Sequence, residues 1–589
     1  MGTDLGTELT AELITDATAP AEPRISPDGR WVAYAVDDAL WLAECDGSAP
    51  PRSLGTAGTG PRWAPDSCHL YYRHDHRLHR ISLETGEISV LDDGVADCVP
   101  LGDGRVVLVS RAETPDRDPK VWSEPLPVNR LVLPGGHDAL PGRHILEVAP
   151  RPGDDLLAVL TQAMPTLDPV FPTTELHLVD PATGHVEHLG ETELEARSPV
   201  WWRAADGWRV AYLATTPPGP IGGTAVFDAG HRNLTDGMDC CPAELVQSPD
   251  GNPLALFEVG LDTALYRLGG GRFEHLVTHP GSLSALSVAP GTIAVLASTA
   301  YAPKDVHAGP PDGELRRLAD TRPELRGIDW GRQERLSYQA SDGLELDGLL
   351  VLPPGRTRED GPFSLVTIVH GGPYDRYADE LSLRWTGCGQ WLAAAGHAVF
   401  LPNPRGGSGH GHAFAASVAG AVGLGEWTDV LTGIDLLVEQ GVADPDRLGI
   451  AGWSHGGFFS AWAVGQTDRF KAALVGAGIS DWGMLVATGE LGVLEAGLGG
   501  GSYWTDRRRP AALSPVTHAA KVTTPVLIVH GEQDTNVPLS QAICFHRALR
   551  YHGVPHEFVV YPGEGHRITG RAHRLDLLRR LRDWFAVLL

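Results

Sequence analysis

Leu448-Gly449-Ile450-Ala451-Gly452-Trp453-Ser454-His455-Gly456-Gly457-Phe458 decides the fold of the carboxyl-terminal half of this chain. The stretch opens as a continuous apolar run of strand character, passes through G-x-S-x-G and enters a helical pattern at Phe458. Strand, sharp turn and helix in that order make the context in which G-x-S-x-G becomes a nucleophile elbow. Small residues flanking the serine at two positions' remove, Gly452 and Gly456, permit the tight turn, which lifts the Ser454 hydroxyl out of the sheet toward a substrate.

A serine hydroxyl is a weak nucleophile until a base takes its proton, so this reading demands an acid and then a histidine further along the chain. Asp534 lies in His530-Gly531-Glu532-Gln533-Asp534-Thr535-Asn536-Val537-Pro538, just past an apolar strand at 526–529, and His566 lies in Gly563-Glu564-Gly565-His566, just past another at 557–561. Neighbouring parallel strands that end in Asp and His deliver both side chains to the sheet edge that carries Ser454. Asp534 would fix the tautomer of His566, and His566 would take the proton from Ser454 and return it to the leaving group. The oxyanion needs donors as well. His370-Gly371-Gly372-Pro373 follows the strand at 365–369, and the backbone amides of Gly372 and His455 are the candidates.

Around these motifs, apolar strands at 365–369, 398–401, 448–451, 472–475, 526–529 and 557–561 alternate with helical patterns at 427–440 and 574–588. Continuous apolar strands belong in a buried, mostly parallel sheet with helices on both faces. Upstream of residue 330 the grammar differs. A Pro/Asp/Gly turn running into a short apolar strand recurs about seven times, clearest as Ser26-Pro27-Asp28-Gly29, Ala64-Pro65-Asp66 and Ser248-Pro249-Asp250-Gly251. Spacings of roughly 37 to 52 residues fit the four-stranded blades of a propeller. The expected organisation is an N-terminal segment, 1–20, able to pack on the hydrolase domain; a β-propeller, 21–328; and an α/β-hydrolase catalytic domain, 329–589.

Composition narrows the function. The 589 residues carry 74 acidic against 47 basic side chains, a net charge of −27 that repels phosphate backbones and anionic lipid. No run approaches the roughly 18 apolar residues of a membrane span, and the acidic amino terminus does not resemble a secretion signal, so a cytoplasmic protein without nucleic-acid or membrane partners is expected. The seven cysteines are scattered, with no CxxC, and read as free thiols; neither a metal nor a cofactor is expected.

Gly452 to Gly457, Asp534 within HGEQDTNVP, His566 within GEGH, HGGP at 370–373 and Asn403-Pro404-Arg405-Gly406 resemble the hydrolase domain of the prolyl oligopeptidase family of serine peptidases. The resemblance covers most of 336–589 and is nearest the acylaminoacyl peptidase branch, which shares HGGP and a similar NPRG segment. It implies a seven-bladed propeller that caps the active site and admits short peptides, and amide hydrolysis through an acyl-enzyme. Dipeptidyl peptidases of this family hold the substrate amine with adjacent propeller glutamates; this chain has no Glu-Glu pair, although Glu191, Glu193 and Glu195 are separated acids that could serve. The segment 481–504 resembles the family's specificity pocket, which makes Trp482, Leu485 and Tyr503 candidate substrate contacts, although the same residues could be helix core. Arg405 and Arg567 are candidate anchors for a substrate carbonyl or carboxylate, because a guanidinium fork suits such oxygens. The expected substrate is a short peptide or an aminoacyl or acylaminoacyl amide. The alternatives are an aminopeptidase that inactivates an aminoacyl amide antibiotic, a dipeptidyl peptidase and, less favoured, an esterase; a homo-oligomer stays open.

Overall fold

In the computed structural model, residues 8–111, 126–163, 173–216, 219–384 and 386–589 are described. The first seven residues of the N-terminal segment therefore lie outside the described residues. Among the described residues, seven antiparallel sheets follow one another along the chain from Ala21–Ile25 to Arg316–Arg317, six of four strands and one, the fifth, of three. Each is a propeller blade built from consecutive strands. The recurrent Pro/Asp/Gly phrases have one structural meaning: every one falls in the turn between the first and second strands of a blade. In the first, Asp28 Oδ1 accepts from the Arg30 amide at 3.1 Å, and in the sixth Asp250 Oδ1 accepts from the Asn252 amide at 2.9 Å. An aspartate that caps its own turn in this way sets up the reversal into the next strand.

The ring closes by side-chain packing of the first blade on the seventh. Ile25, Val32 and Tyr34 share one buried cluster with Ala294, Leu296 and Val306, and the Ile25 amide donates to Ser287 Oγ at 3.0 Å.

The carboxyl-terminal sheet has eight strands, β1 (Gln333–Gln339), β2 (Glu345–Val351), β3 (Phe363–Val369), β4 (Ala398–Asn403), β5 (Ala443–Trp453), β6 (Phe470–Gly476), β7 (Val526–Gly531) and β8 (His556–Tyr561), in the spatial order 1-2-4-3-5-6-7-8. The β1–β2 hairpin is antiparallel and β2 pairs antiparallel with β4; from there on the sheet is parallel. Both faces are buried, and the pleat divides the strand residues between two cores. Val526 and Ile528 join one core with Ile434 and Phe458, whereas Leu527 and Val529 join the other with Leu578 and Phe585. This is why the strands read as unbroken apolar runs.

The short helix α1 (Ala11–Thr15) packs on the hydrolase domain. Leu9, Ala11 and Ile14 enter its second core, and Arg571 holds Asp16 through two bonds of 2.6 Å. Arg335 on β1 clamps the two domains together, reaching Asp262 of the sixth blade at 2.5 and 2.7 Å and Asp379 at 2.7 Å. No helix among the described residues is long and apolar enough to cross a membrane.

Candidate active site

β5 ends at Trp453, and α2 (His455–Gln466) begins one residue after Ser454. Ser454 between them has φ 61° and ψ −120°, a conformation that L-residues rarely adopt and that projects its side chain off the end of the sheet. The turn can be this tight because Gly456 lies against β3: a Cβ there would stand 2.1 Å from the Val369 carbonyl oxygen. Beneath the elbow, Phe458 and Phe459 on α2 are fully buried and anchor the turn to the core.

The three side chains picked from the sequence meet above the ends of β5, β7 and β8. Ser454 Oγ lies 3.0 Å from His566 Nε2, and His566 Nδ1 lies 2.8 Å from Asp534 Oδ2. Asp534 is buried. Its other oxygen, Oδ1, accepts from the Val537 amide at 2.9 Å, and His530 Nε2 stands 3.4 Å from Oδ2 while bonded to the Val537 carbonyl at 2.7 Å. Burial pushes the Asp534 carboxyl up, but the hydrogen bonds from His530 and His566 and the Val537 amide outweigh it and hold the group at about 2. Asp534 is therefore ionised throughout the neutral range.

Two further contacts fix the geometry. The Trp453 indole donates to the backbone carbonyl of His566 at 2.9 Å, tying the residue before the serine to the histidine loop. The His370-Gly371-Gly372-Pro373 loop leaves β3 alongside, placing the Cβ direction of Gly371 3.7 Å from Ser454 Cβ. Gly372 has φ 109°, in the left-handed region that favours glycine, and precedes a cis bond to Pro373. His455 opens α2, where leading amides have no acceptor within the helix and carry its positive end. Burial lowers the proton affinity of His370, whose Nδ1 faces the Gly371 carbonyl at 2.8 Å.

Ser454 and His566 open into a cavity of about 1080 Å³ between the domains. Its walls come from α1 and the residues after it, from Glu244, Glu258 and Thr263 of the sixth blade, from Ser282 to Ser284 of the seventh, and from the hydrolase-domain segments 370–384 and 386–390. Arg567 lines it beside His566, exposed and with no protein partner among the described residues.

The other substrate-contact candidates do not line this cavity. Arg405 is a structural fork: its guanidinium holds Asp429 at 2.7 and 2.8 Å and Asp342 at 2.8 and 3.1 Å. The NPRG motif thus neutralises a fully buried carboxylate on the helix Gly425–Glu439. Arg405→Ala is expected to destabilise the fold by about 3–5 kcal/mol, since an unpaired buried charge remains. Urea unfolding would measure this, and an unchanged midpoint with a raised KM would restore the anchor reading. Trp482 and Leu485 are core residues, fully buried, with Trp482 packed edge-on to Phe458 at 5.1 Å. Tyr503 is 38% exposed and directs its hydroxyl to Asp481 at 3.2 Å. A helical apolar stripe does not say what it faces, and here it faces the core under α2. Nor do the separated acids reach the cavity: Glu193 accepts from Tyr212 at 2.6 Å and Glu195 from Thr215 at 2.7 Å.

A serine, a histidine and a buried aspartate in register over a 1-2-4-3-5-6-7-8 sheet, facing a seven-bladed propeller across a cavity, define the class of propeller-capped α/β-hydrolases. Residues 386–589 match the prolyl oligopeptidase family, Peptidase_S9. The chain is 33% identical over 262 residues to an uncharacterized peptidase of Bacillus subtilis, YuxL, covering 43% of this chain and 38% of the relative. It is 30% identical over 272 residues to the acylamino-acid-releasing enzyme of Arabidopsis thaliana, covering 43% and 33%. The matches thus span well under half the length of these curated relatives. In fold the chain is similar to an acylaminoacyl peptidase of Pyrococcus horikoshii, with a TM-score of 0.83, 19% identity and coverage of 99% of this chain and 98% of the other.

Proposed function

We propose that the chain is a serine peptidase that hydrolyses short peptides or acylaminoacyl amides through an acyl-enzyme at Ser454. The observation that carries this reading is the relay from Asp534 through His566 to Ser454, with links of 2.8 and 3.0 Å, opening into a cavity walled by the propeller. Ser454 Oγ attacks the scissile carbonyl carbon as its proton passes to His566 Nε2, while ionised Asp534 holds Nδ1–H and stabilises the imidazolium. The amides of Gly372 and His455 receive the negative charge that develops on the carbonyl oxygen. His566 then protonates the leaving amine, and a water activated by the same nitrogen releases the acyl group. Arg567 is suited to hold a substrate oxygen at the cavity wall. A cavity of about 1080 Å³ takes a few residues and excludes folded protein.

A blocked amino end is favoured over a free one. Both propeller glutamates on the cavity wall are already engaged, Glu244 by the amides of Ala285 and Leu286 at 2.7 and 2.8 Å, and Glu258 by Arg376 at 3.4 Å. A buried ammonium needs a carboxylate to itself. The test is p-nitroaniline release from Phe anilide and from N-acetyl-Phe anilide. The acetylated compound is expected to turn over faster. Preference for the free amine would indicate an aminopeptidase, antibiotic-inactivating or otherwise, and cleavage of a matched ester with no anilide turnover would indicate an esterase.

A further inference from the structure

The fourth blade gathers three groups that the hydrolytic site does not use. Its strand Thr174–Val179 carries Glu175 and His177 two residues apart, so the pleat sets both on one face. The neighbouring strand Val186–Glu191 pairs antiparallel with it, and the register puts His188 opposite His177. His188 Nε2 lies 3.1 Å from Glu175 Oε2, and His177 Nε2 lies 3.6 Å from the same oxygen. One ligating atom from each of the three falls within 4.8 Å of the others.

His177 makes this more than a polar cluster. The residue is 6% exposed, and among the described residues neither ring nitrogen has a hydrogen-bond partner. An imidazole buried without partners is costly, and its Nε2 points at the glutamate oxygen. Glu175 is itself held in place: Oε1 takes the Arg143 guanidinium at 2.8 Å, and Arg143 also bonds Thr161 Oγ1 at 3.2 and 3.3 Å. That leaves Oε2 turned to the two imidazoles, with an outer partner orienting the carboxylate, as in metal sites. Bonds of about 2.1 Å in a tetrahedron separate ligands by about 3.4 Å, between the two distances observed.

We propose that Glu175, His177 and His188 bind a divalent transition-metal ion, zinc being the fit for two imidazoles and one carboxylate, with the fourth position open to water on the exposed His188 side. The ion would tie together the two outermost strands of the fourth blade. None of the three residues lines the interdomain cavity, so the site is separate from the hydrolytic one.

The test is calorimetric titration of the chelator-treated full chain with Zn²⁺, alongside the variants His188→Ala and Glu175→Gln. His188 is exposed and Glu175 is replaced isosterically, so both variants should fold, as a melting curve in chelator would verify. The wild type is expected to bind one equivalent that each variant loses or binds roughly tenfold or more weakly. Zn²⁺ should raise the melting temperature of the wild type alone, and Mg²⁺ should do neither, since imidazole selects transition ions. Zinc affinity unchanged in His188→Ala would place the ion elsewhere among the 25 histidines and overturn the proposal, as would no binding at micromolar zinc.

Discussion

Ser454→Ala is expected to lower anilide turnover by about 10⁶-fold while leaving the protein folded, because the relay acts as a unit and the remaining histidine and aspartate have no nucleophile to activate. The side chain contributes little to the fold: among the described residues its Oγ bonds only His566, and the backbone that holds the elbow, with the Ser454 amide donating to the Gly476 carbonyl at 2.9 Å, is untouched. Alanine must still accept φ 61°, a strain the native serine already bears. Initial-rate measurements at saturating substrate, with a melting curve for each protein, would check this. Turnover reduced by less than a hundredfold would mean that another group is the nucleophile.

Asp534→Asn is the second large effect, about 10⁴-fold in kcat, and the local hydrogen bonds dictate its mechanism. Oδ1 accepts from the Val537 amide, so the carbonyl oxygen of an asparagine would stay there and its NH₂ would turn to His566 Nδ1. The imidazole would then accept at Nδ1 and carry its proton on Nε2, the atom that faces Ser454. In that tautomer His566 cannot take the serine proton. The native carboxylate, held at about 2, forces the productive tautomer at every pH near neutrality. KM should change little, since Asp534 is buried behind His566, away from substrate. A kcat within tenfold of the wild type would show that the aspartate does not set the tautomer.

Legibility in the sequence followed the range of the interaction. The elbow was readable because its requirements are local: strand, small residues and helix lie within about a dozen positions, and the glycines are demanded by backbone contacts such as Gly456 against Val369. The propeller was readable because the first, second, third, fourth and sixth blades repeat the same self-capped aspartate turn, a contact made within three residues. Arg405 suits a substrate oxygen by its chemistry, yet the oxygens it holds belong to Asp342 and Asp429. Trp453 gave no signal at all. As the variable position of G-x-S-x-G it could be any residue, and only the approach of the 563–567 loop makes its indole a support for His566.

The sequence by itself determined the order of the two domains, the identity of the serine, aspartate and histidine, and the sheet that brings them together, since these follow from periodicity, turn chemistry and chain order. Tertiary structure alone decided which of the two candidate arginines, Arg405 and Arg567, lines the cavity, which apolar helix residues are core, and which glutamates are already engaged. It also decided that Glu175, His177 and His188 share a face. A side chain's role there depends on what lies across from it, and partners across a strand register or a domain interface are distant in sequence, where neither spacing nor residue type records the meeting.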